Sequence, residues 1–346
     1  MTKSSGSALH IGKTSLADNY FLENECYYSN FIQRIRTKAF PKYIWYILNS
    51  PLSREQFVYL QNSTSGIGNI NAENICNIFI PVPNHAEQKN IVATLDEKCG
   101  KIDELIANQQ GQIEKLKEYK QSVITEAVTK GLDKSAPLKD SGIEWIGEIP
   151  VHWELVRFKD ICTNKKEVAG KDSVNYERLA LTLNGVIKRP KDDSEGLQPK
   201  EFDGYQIIHE NDFIFKMIDL QNISTSRVGL SPYTGLVSPA YIRFVARKEN
   251  QYNKFIYYFL MSMYYNCVYN SLGGNGVRSA LNATDMGQFK IPYPSLEVQQ
   301  EIVSYIDNKL EQIDRLIAIK QEKIEKLQEY KKSLIYEYVT GKKEVV

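Results

Sequence analysis

Six residues within the twelve-residue stretch KMIDLQNISTSR have side chains suited to reading a nucleic acid: Lys216, Gln221, Asn222, Ser224, Thr225 and Arg227. An arginine fork matches the O6 and N7 of guanine, an asparagine or glutamine amide matches the N6 and N7 of adenine, and lysines and hydroxyls suit phosphate oxygens. A second stretch, GGNGVRSALN, offers Asn275, Arg278 and Ser279 on a glycine-rich loop. Near the start, STSGIGN offers Ser63, Thr64, Ser65, Gly66 and Asn69. Each of these side chains also fits ordinary turn chemistry or a solvated surface, and that reading stays open.

Residues for catalysis are harder to find. There is no Asn-Pro-Pro-Tyr-like tetrapeptide for methyl transfer to a base amine, no phosphate loop with its lysine, and no carboxylate–lysine nuclease cluster. GGNG lacks the strand, helix and acidic partner of a dinucleotide site, so it reads as a glycine turn. The five cysteines form no CxxC pair and the four histidines never fall at i, i+4, which argues against disulfides and zinc. The expectation is a chain with no catalytic residues, no metal and no cofactor.

The formal charge of +1 argues against a protein that holds nucleic acid by bulk electrostatics alone. The charge is uneven, however. Residues 145–212 carry 10 basic against 13 acidic side chains and residues 213–290 carry 8 against 3, so a modest basic surface or a merely solvated face lies in the second stretch. No run of about 18 apolar residues suggests a membrane span, and the opening MTKSSGSALHIGKTS has no secretory core, which predicts a cytoplasmic location.

The elements that must position these residues follow from an internal repeat. Residues 80–130 match residues 291–341 without a gap at an offset of 211, with 26 of 51 positions identical. Each copy opens with Ile-Pro-x-Pro, where proline fixes φ and removes a backbone donor, so the chain is extended there and a helix can start just beyond. Asn84 with Glu87 forms a capping box; Ser295 keeps the cap without the box. Each copy then runs without proline to a glycine, Gly131 or Gly341, long enough for a helix of roughly 60 Å.

The apolar positions in these helices recur at 4-3 spacing. They are Leu95, Cys99, Ile102, Ile106, Ile113, Leu116, Val123 and Ala127 in the first copy, and Ile306, Leu310, Ile313, Ile317, Ile324, Leu327, Leu334 and Tyr338 in the second. Both stripes are interrupted at matching places, by Gln109 and Lys320 and by Lys120 and Lys331. Two helices sharing one stripe and its gaps are expected to pack on each other.

A fainter similarity links SNFIQRIRTKAFPKYIWYIL (29–48) to SPAYIRFVARKENQYNKFIYYFL (238–260), so each repeat unit is a globular head followed by a long helix. The second head opens SGIEWIGEIPVHWE. YQIIHENDFIFKMI and LVSPAYIRFVA read as strands and FIYYFLMSMYY as a buried helix, which makes the head α+β. KGLDKSAPLKD reads as a linker and KRPKDDSEGLQPKEFDG as an exposed loop of mixed charge.

Repeated Ile-Pro-x-Pro openings, helices ending LKEYKQSVITEAVTKGLD and the opening SGIEWIGEIPVHWE together resemble the specificity subunits of type I restriction-modification systems, over nearly the whole chain. The resemblance implies a non-catalytic DNA-recognition subunit in which two target-recognition domains are joined by two long antiparallel, coiled-coil-like helices. Residues 1–80 would be a partial first recognition domain, 84–131 the central helix, 141–292 the second recognition domain and 295–341 the distal helix. The implied partners are double-stranded DNA, methyltransferase (modification) subunits, restriction subunits and a second copy of the chain. The alternative is an inactive or regulatory remnant acting as a coiled-coil scaffold. One departure stands out: if Gly12 matches Gly229, 84 residues separate Trp145 from that glycine against 11 before Gly12, and about 73 residues lack a counterpart.

Overall fold

The computed structural model describes residues 1–7, 10–17, 23–60, 62–64, 67–192, 201–220, 226–247, 251–272 and 280–345, with the side chains of 62–64 and 67 left aside. Two compact units form, residues 1–114 with 316–346 and residues 115–315.

In the first unit, β1 (Ser4–Ser5), α1 (Pro41–Asn49) and α2 (Pro51–Leu60) are followed by β2 (Asn62–Thr64), β3 (Ile67–Asn69) and α3 (Ala72–Cys76). Both α1 and α2 begin with proline, whose fixed φ suits the first helical turn, where no N–H partner is needed. The three strands form an antiparallel sheet in the order β1-β3-β2, with Ser4 opposite Asn69. Tyr43 and Ile47 of α1 and Phe57 of α2 bury against Ile91, Leu95 and Ile102 of the central helix (His85–Lys130) and Leu334 and Tyr338 of the distal helix (Leu296–Val339).

The second unit begins with the hairpin of β4 (Leu138–Asp140) and β5 (Glu148–Pro150), so the end of the expected linker is a strand. β6 (Glu154–Arg157), α4 (Phe158–Ile161), β7 (Cys162–Asn164), β8 (Arg178–Thr182) and β9 (Gly185–Arg189) follow. Then come β10 (Gln206–Ile208), β11 (Phe213–Phe215), β12 (Val228–Leu230), β13 (Gly235–Val237) and β14 (Ile242–Ala246). The unit closes with α5 (Asn253–Tyr265), α6 (Val268–Leu272), α7 (Ala283–Gly287) and β15 (Lys290–Tyr293). Two four-stranded sheets form, β12-β11-β14-β7 and β10-β13-β8-β9, while β15 pairs with β6. The architecture is α+β.

The second core is aromatic. Phe158 packs on Phe213, Phe215 and Phe244 at ring separations of 4.8–6.1 Å, and Trp153 meets Phe255 edge-on. These rings sit in one cluster with Ile124, Ala127 and Val128 of the central helix and Ile302, Val303 and Ile306 of the distal helix. Burying each such side chain stabilises by about 1.5–3 kcal/mol. At Gly131, φ is +75° and a Cβ would stand 3.1 Å from the Trp153 ring, so glycine both ends the helix and admits the tryptophan.

The helix stripe is buried on both helices. Leu95, Cys99, Ile102, Ile113, Val123, Ala127, Ile306, Ile313, Ile324, Leu334 and Tyr338 are buried, and Ile106, Leu116, Leu310, Ile317 and Leu327 are half-buried. The pairing is antiparallel. In the first unit Lys331 reaches Asp103 at 2.6 Å and Lys320 reaches Gln112, while in the second Lys120 reaches Asp314 at 2.8 Å. Three of the four interruptions in the stripe, Lys120, Lys320 and Lys331, are therefore lysines that cross to the other helix, and the fourth, Gln109, is buried. Lys331 is the repeat of Lys120 and Asp314 that of Asp103, so one contact is made twice under the 211-residue offset. Asn84 Oδ1 accepts from the Glu87 N–H at 3.0 Å and Ser295 Oγ from the Val298 N–H at 3.4 Å, capping the two helices.

Further contacts repeat. Lys42 and Tyr46 both bind Asp96, and Lys254 and Tyr258 both bind Asp307 in the same manner. Gln88 accepts from the Phe40 N–H and donates to the Pro83 carbonyl, as Gln299 does with Tyr252 and Pro294. Asn71 caps α3 and Asn282 caps α7. Gly12 and Gly229 do not share this equivalence: Gly12 sits in a turn at φ +79°, whereas Gly229 lies in β12 without a positive φ. The count of 73 unmatched residues thus loses its anchor, because four residues of similarity cannot separate a turn from a strand.

Candidate nucleic-acid interface

β11 and β12 form an antiparallel hairpin whose connection is residues 216–227. The Lys216 N–H donates to the Arg227 carbonyl at 2.9 Å, closing the base of this loop. The loop that carries Asn275 and Arg278 is tied to the same base. The Leu281 N–H donates to the Met217 carbonyl at 3.0 Å, and Asn270 Nδ2 donates to the Leu220 carbonyl. The residues flanking two segments that sequence chemistry singled out separately, about fifty residues apart, are thus tied to one platform. Met217 and Leu220 are buried in the aromatic core, so the platform is fixed by apolar packing.

Of the candidates in this unit, Lys216 and Arg227 lie within the described residues. Lys216 is half-buried at the loop base. Arg227 is 1% exposed, and its guanidinium donates to the carbonyls of Ile218 at 2.9 Å and Asp219 at 2.7 Å. Asp219 has a left-handed φ of 55°, and the arginine holds the turn it forms. Burial pulls Arg227 below the ordinary arginine range and Asp219 acts against that, but a guanidinium stays charged either way. In place of a fork held out to a base, the structure shows an internal clamp on the loop. Residue type suggested the first; the carbonyls of Lys216, Ile218 and Asp219 decide the second. Gln221, Asn222, Ser224, Thr225, Asn275, Arg278 and Ser279 lie outside the described residues, as do Ser65 and Gly66. Ser63 and Thr64 lie in β2, and the exposed Asn69 accepts from Ser4 Oγ at 2.8 Å.

Sequence reading missed a basic cleft. Arg178, Lys188, Arg189 and Lys191 line an open depression beside Tyr176 and Pro190, with Lys188 paired to Glu177 at 2.5 Å and Lys191 donating to the Ser173 carbonyl at 2.7 Å. The run Lys188-Arg-Pro-Lys191 was a usable signal, masked by the acidic residues that follow it. Nearby, β12 packs onto the β8–β9 hairpin closely enough that a Cβ at Gly229 would stand 2.7 Å from Leu181 and 2.8 Å from Val186.

An ion network with a buried Arg243–Asp212 pair at its centre braces the sheets. Arg243 Nε donates to Asp212 at 2.7 Å, both being 5% exposed, and its Nη1 donates to Glu167 at 2.8 Å and to the Ile207 carbonyl. Glu167 also meets His209 at 2.9 Å. The Arg243 hydrogen bond, reinforced by His209, holds the Glu167 carboxyl below the usual range. Every member of this network is engaged in bracing, and nothing in the arrangement presents a nucleophile or an open acid–base pair. Among the described residues no helix is long and apolar enough to cross a membrane.

The family described as "Type I restriction modification DNA specificity domain" matches residues 2–118 and 150–329. The chain belongs to this family. Two relatives from Methanocaldococcus jannaschii support the assignment. One, the type I restriction enzyme MjaVIII specificity subunit, is 27% identical over 313 residues, covering 86% of this chain and 69% of its own. The other, also a type I specificity subunit, is 28% identical over 321 residues and covers 89% and 69%. A solved chain from work on complex assembly and conformational transition of the type I R-M system shares the fold with a TM-score of 0.63 at 16% identity, covering 88% of this chain and 72% of that one. This specificity subunit is thus a DNA-sequence-recognition protein of the type I restriction-modification class, and the scaffold-only alternative is not favoured.

Proposed function

We propose that the second unit reads one part of a DNA target through the paired loops 216–227 and 273–282, with the basic cleft at Arg178–Lys191 contacting the phosphate backbone. The observation that carries this is the shared platform at Met217 and Leu220, which anchors both candidate loops. Base edges are read by side chains on such loops, whereas phosphate contacts set register. Asn222, Gln221, Asn275 and Arg278 are the proposed base readers, Ser224, Thr225, Ser279 and Lys216 the proposed supporting contacts, and Arg227 a positioning residue. The chain contributes recognition, and catalysis belongs to methyltransferase and restriction subunits that assemble with it. The recognition domains are proposed at 1–80 and 141–292, and the central and distal helices at 84–131 and 295–341.

The test is competition binding of the assembled methyltransferase complex at two salt concentrations. Arg278→Ala or Asn222→Ala at a base should cost about 1–3 kcal/mol and change which sequences are preferred. Lys188→Ala or Arg189→Ala should weaken all sequences alike and lower the salt slope by about one. Retained sequence preference with all four changed would overturn the proposal.

A further inference from the structure

The repeat places one strand edge in two different situations. In the second unit, β15 (Lys290–Tyr293) pairs antiparallel with β6, Ile291 opposite Val156, and the Phe158 N–H donates to the Phe289 carbonyl at 2.8 Å. Phe289 and Ile291 are buried there. The equivalent residues of the first unit, Ile78 to Val82, form no strand, and Ile78 and Ile80 are only half-buried.

One side of this segment is satisfied. The Phe79 N–H donates to Gln56 Oε1 at 2.8 Å, its carbonyl accepts from Gln56 Nε2 at 2.9 Å, and the Pro81 carbonyl accepts from Tyr43 at 2.9 Å. Pro81 and Pro83 force the preceding Ile80 and Val82 into extended backbone. Successive residues of an extended chain present their N–H and C=O groups to opposite sides. The groups of Ile78 and Ile80 therefore face away from Gln56 and Tyr43, and among the described residues none of them has a hydrogen-bond partner. The segment itself is apolar and exposed, Phe79 at 85% and Val82 at 55%, and α2, whose Gln56 binds Phe79, also exposes Tyr59 at 89% and Val58 at 58%. An unpaired, apolar edge of this kind is a template for strand addition.

We infer that Ile78–Val82 is a docking edge for an extended segment from outside the described residues, with the chemistry of this chain's own Glu148–Ile161 (EIPVHWELVRFKDI). The occupant is identified by the repeat: that segment, through β6, covers the equivalent edge in the second unit. In register, its Val156 position lies opposite Ile80 and its Phe158 position opposite Ile78. The inference is independent of DNA readout, so the two fail separately.

The test uses the full chain without DNA and a fluorescent peptide of residues 146–161. Saturable binding is expected. N-methylation of the peptide at Val156, which removes the N–H opposite Ile80, should weaken it at least roughly tenfold, as should scrambling. Hydrogen exchange should show new protection at Ile80, whose equivalent Ile291 pairs with Val156, and none at Phe79, already bonded to Gln56. Protection at 289–293 instead would mean that the peptide displaces β6, and protection of 78–82 by self-association without peptide would mean that a second copy is the occupant; either overturns the inference. So would the absence of binding, or binding indifferent to N-methylation.

Discussion

The two units use the same clamp on different surroundings. Lys42 and Tyr46 on Asp96 repeat as Lys254 and Tyr258 on Asp307, and each fixes a head helix onto a long helix. Beyond the clamp the units diverge. The second adds two four-stranded sheets, an aromatic cluster and a partly buried ion network, while among the described residues the first has a small three-stranded sheet and an extended segment, Ile78–Val82, with no partner strand. The comparison separates what docks a head from what distinguishes one head from the other: docking residues repeat, and the loop platform proposed for reading does not.

The largest expected effect comes from breaking what the units share. Changing Ile113 and Leu116 together to lysine places two charges in the helix seam, where Ile113 is 6% exposed. The cost should be several kcal/mol, seen as a lower melting temperature and lost partner binding. Unchanged melting would dissolve the seam as the common spine.

Next is a change confined to the second unit. Asp212→Ala leaves Arg243 buried with its closest carboxylate gone, and a broken buried pair costs about 3–5 kcal/mol. Trp145 and Trp153 lie in the second unit and Trp45 in the first, so their fluorescence should report loosening around the first two before the third. Simultaneous unfolding of all three would show the units to be one cooperative body.

Tyr46→Phe and Tyr258→Phe sharpen the comparison directly. Burial first, and then the hydrogen bond to its aspartate, raises each phenol's pKa well above the tyrosine range, so each remains a donor at any physiological pH. Losing a hydrogen bond to a charged acceptor should cost about 1.5–3 kcal/mol in both cases. Chemical denaturation of the two variants should give losses within about 0.5 kcal/mol of each other if the clamps are equivalent.

How much of this was legible follows from the kind of signal. The helix stripe, its caps and its gaps were readable because periodicity and cap chemistry are local. The crossing of Lys120 to Asp314 was implicit in the matching gaps, yet needed the antiparallel pairing to reveal it. The Lys42–Asp96 and Lys254–Asp307 clamps were written in KYIWY and KFIYY, but a pair fifty residues apart has no spacing rule. Arg227 misled because an arginine among asparagines and serines resembles a reader until its carbonyl partners are seen. The open edge at Ile78–Val82 was invisible for a simpler reason: IPVP and IPYP look alike, and only the partner strand distinguishes them.

The smallest effect tests the ion network of the second unit. Glu167 is 43% exposed on its side chain, so solvent screens its pairing with Arg243 and His209 and the contribution should stay below about 1 kcal/mol. The sign is fixed by the direction of the shift. Because its folded pKa is depressed, the folded state binds its proton less readily than the unfolded chain. The stabilisation is therefore full above the ordinary glutamate range, near pH 4.3, and is lost as pH falls through the depressed value. Wild type should exceed Glu167→Gln in stability at pH 7, with the gap closing toward pH 3. His209 bears on the same carboxylate from the other side, so His209→Gln should narrow the gap at neutral pH without altering the direction in which it closes. A gap that widened on acidification would mean that Glu167 is held protonated in the folded protein, and the brace between Val168's neighbour and β14 would then be a neutral hydrogen bond rather than an ion pair.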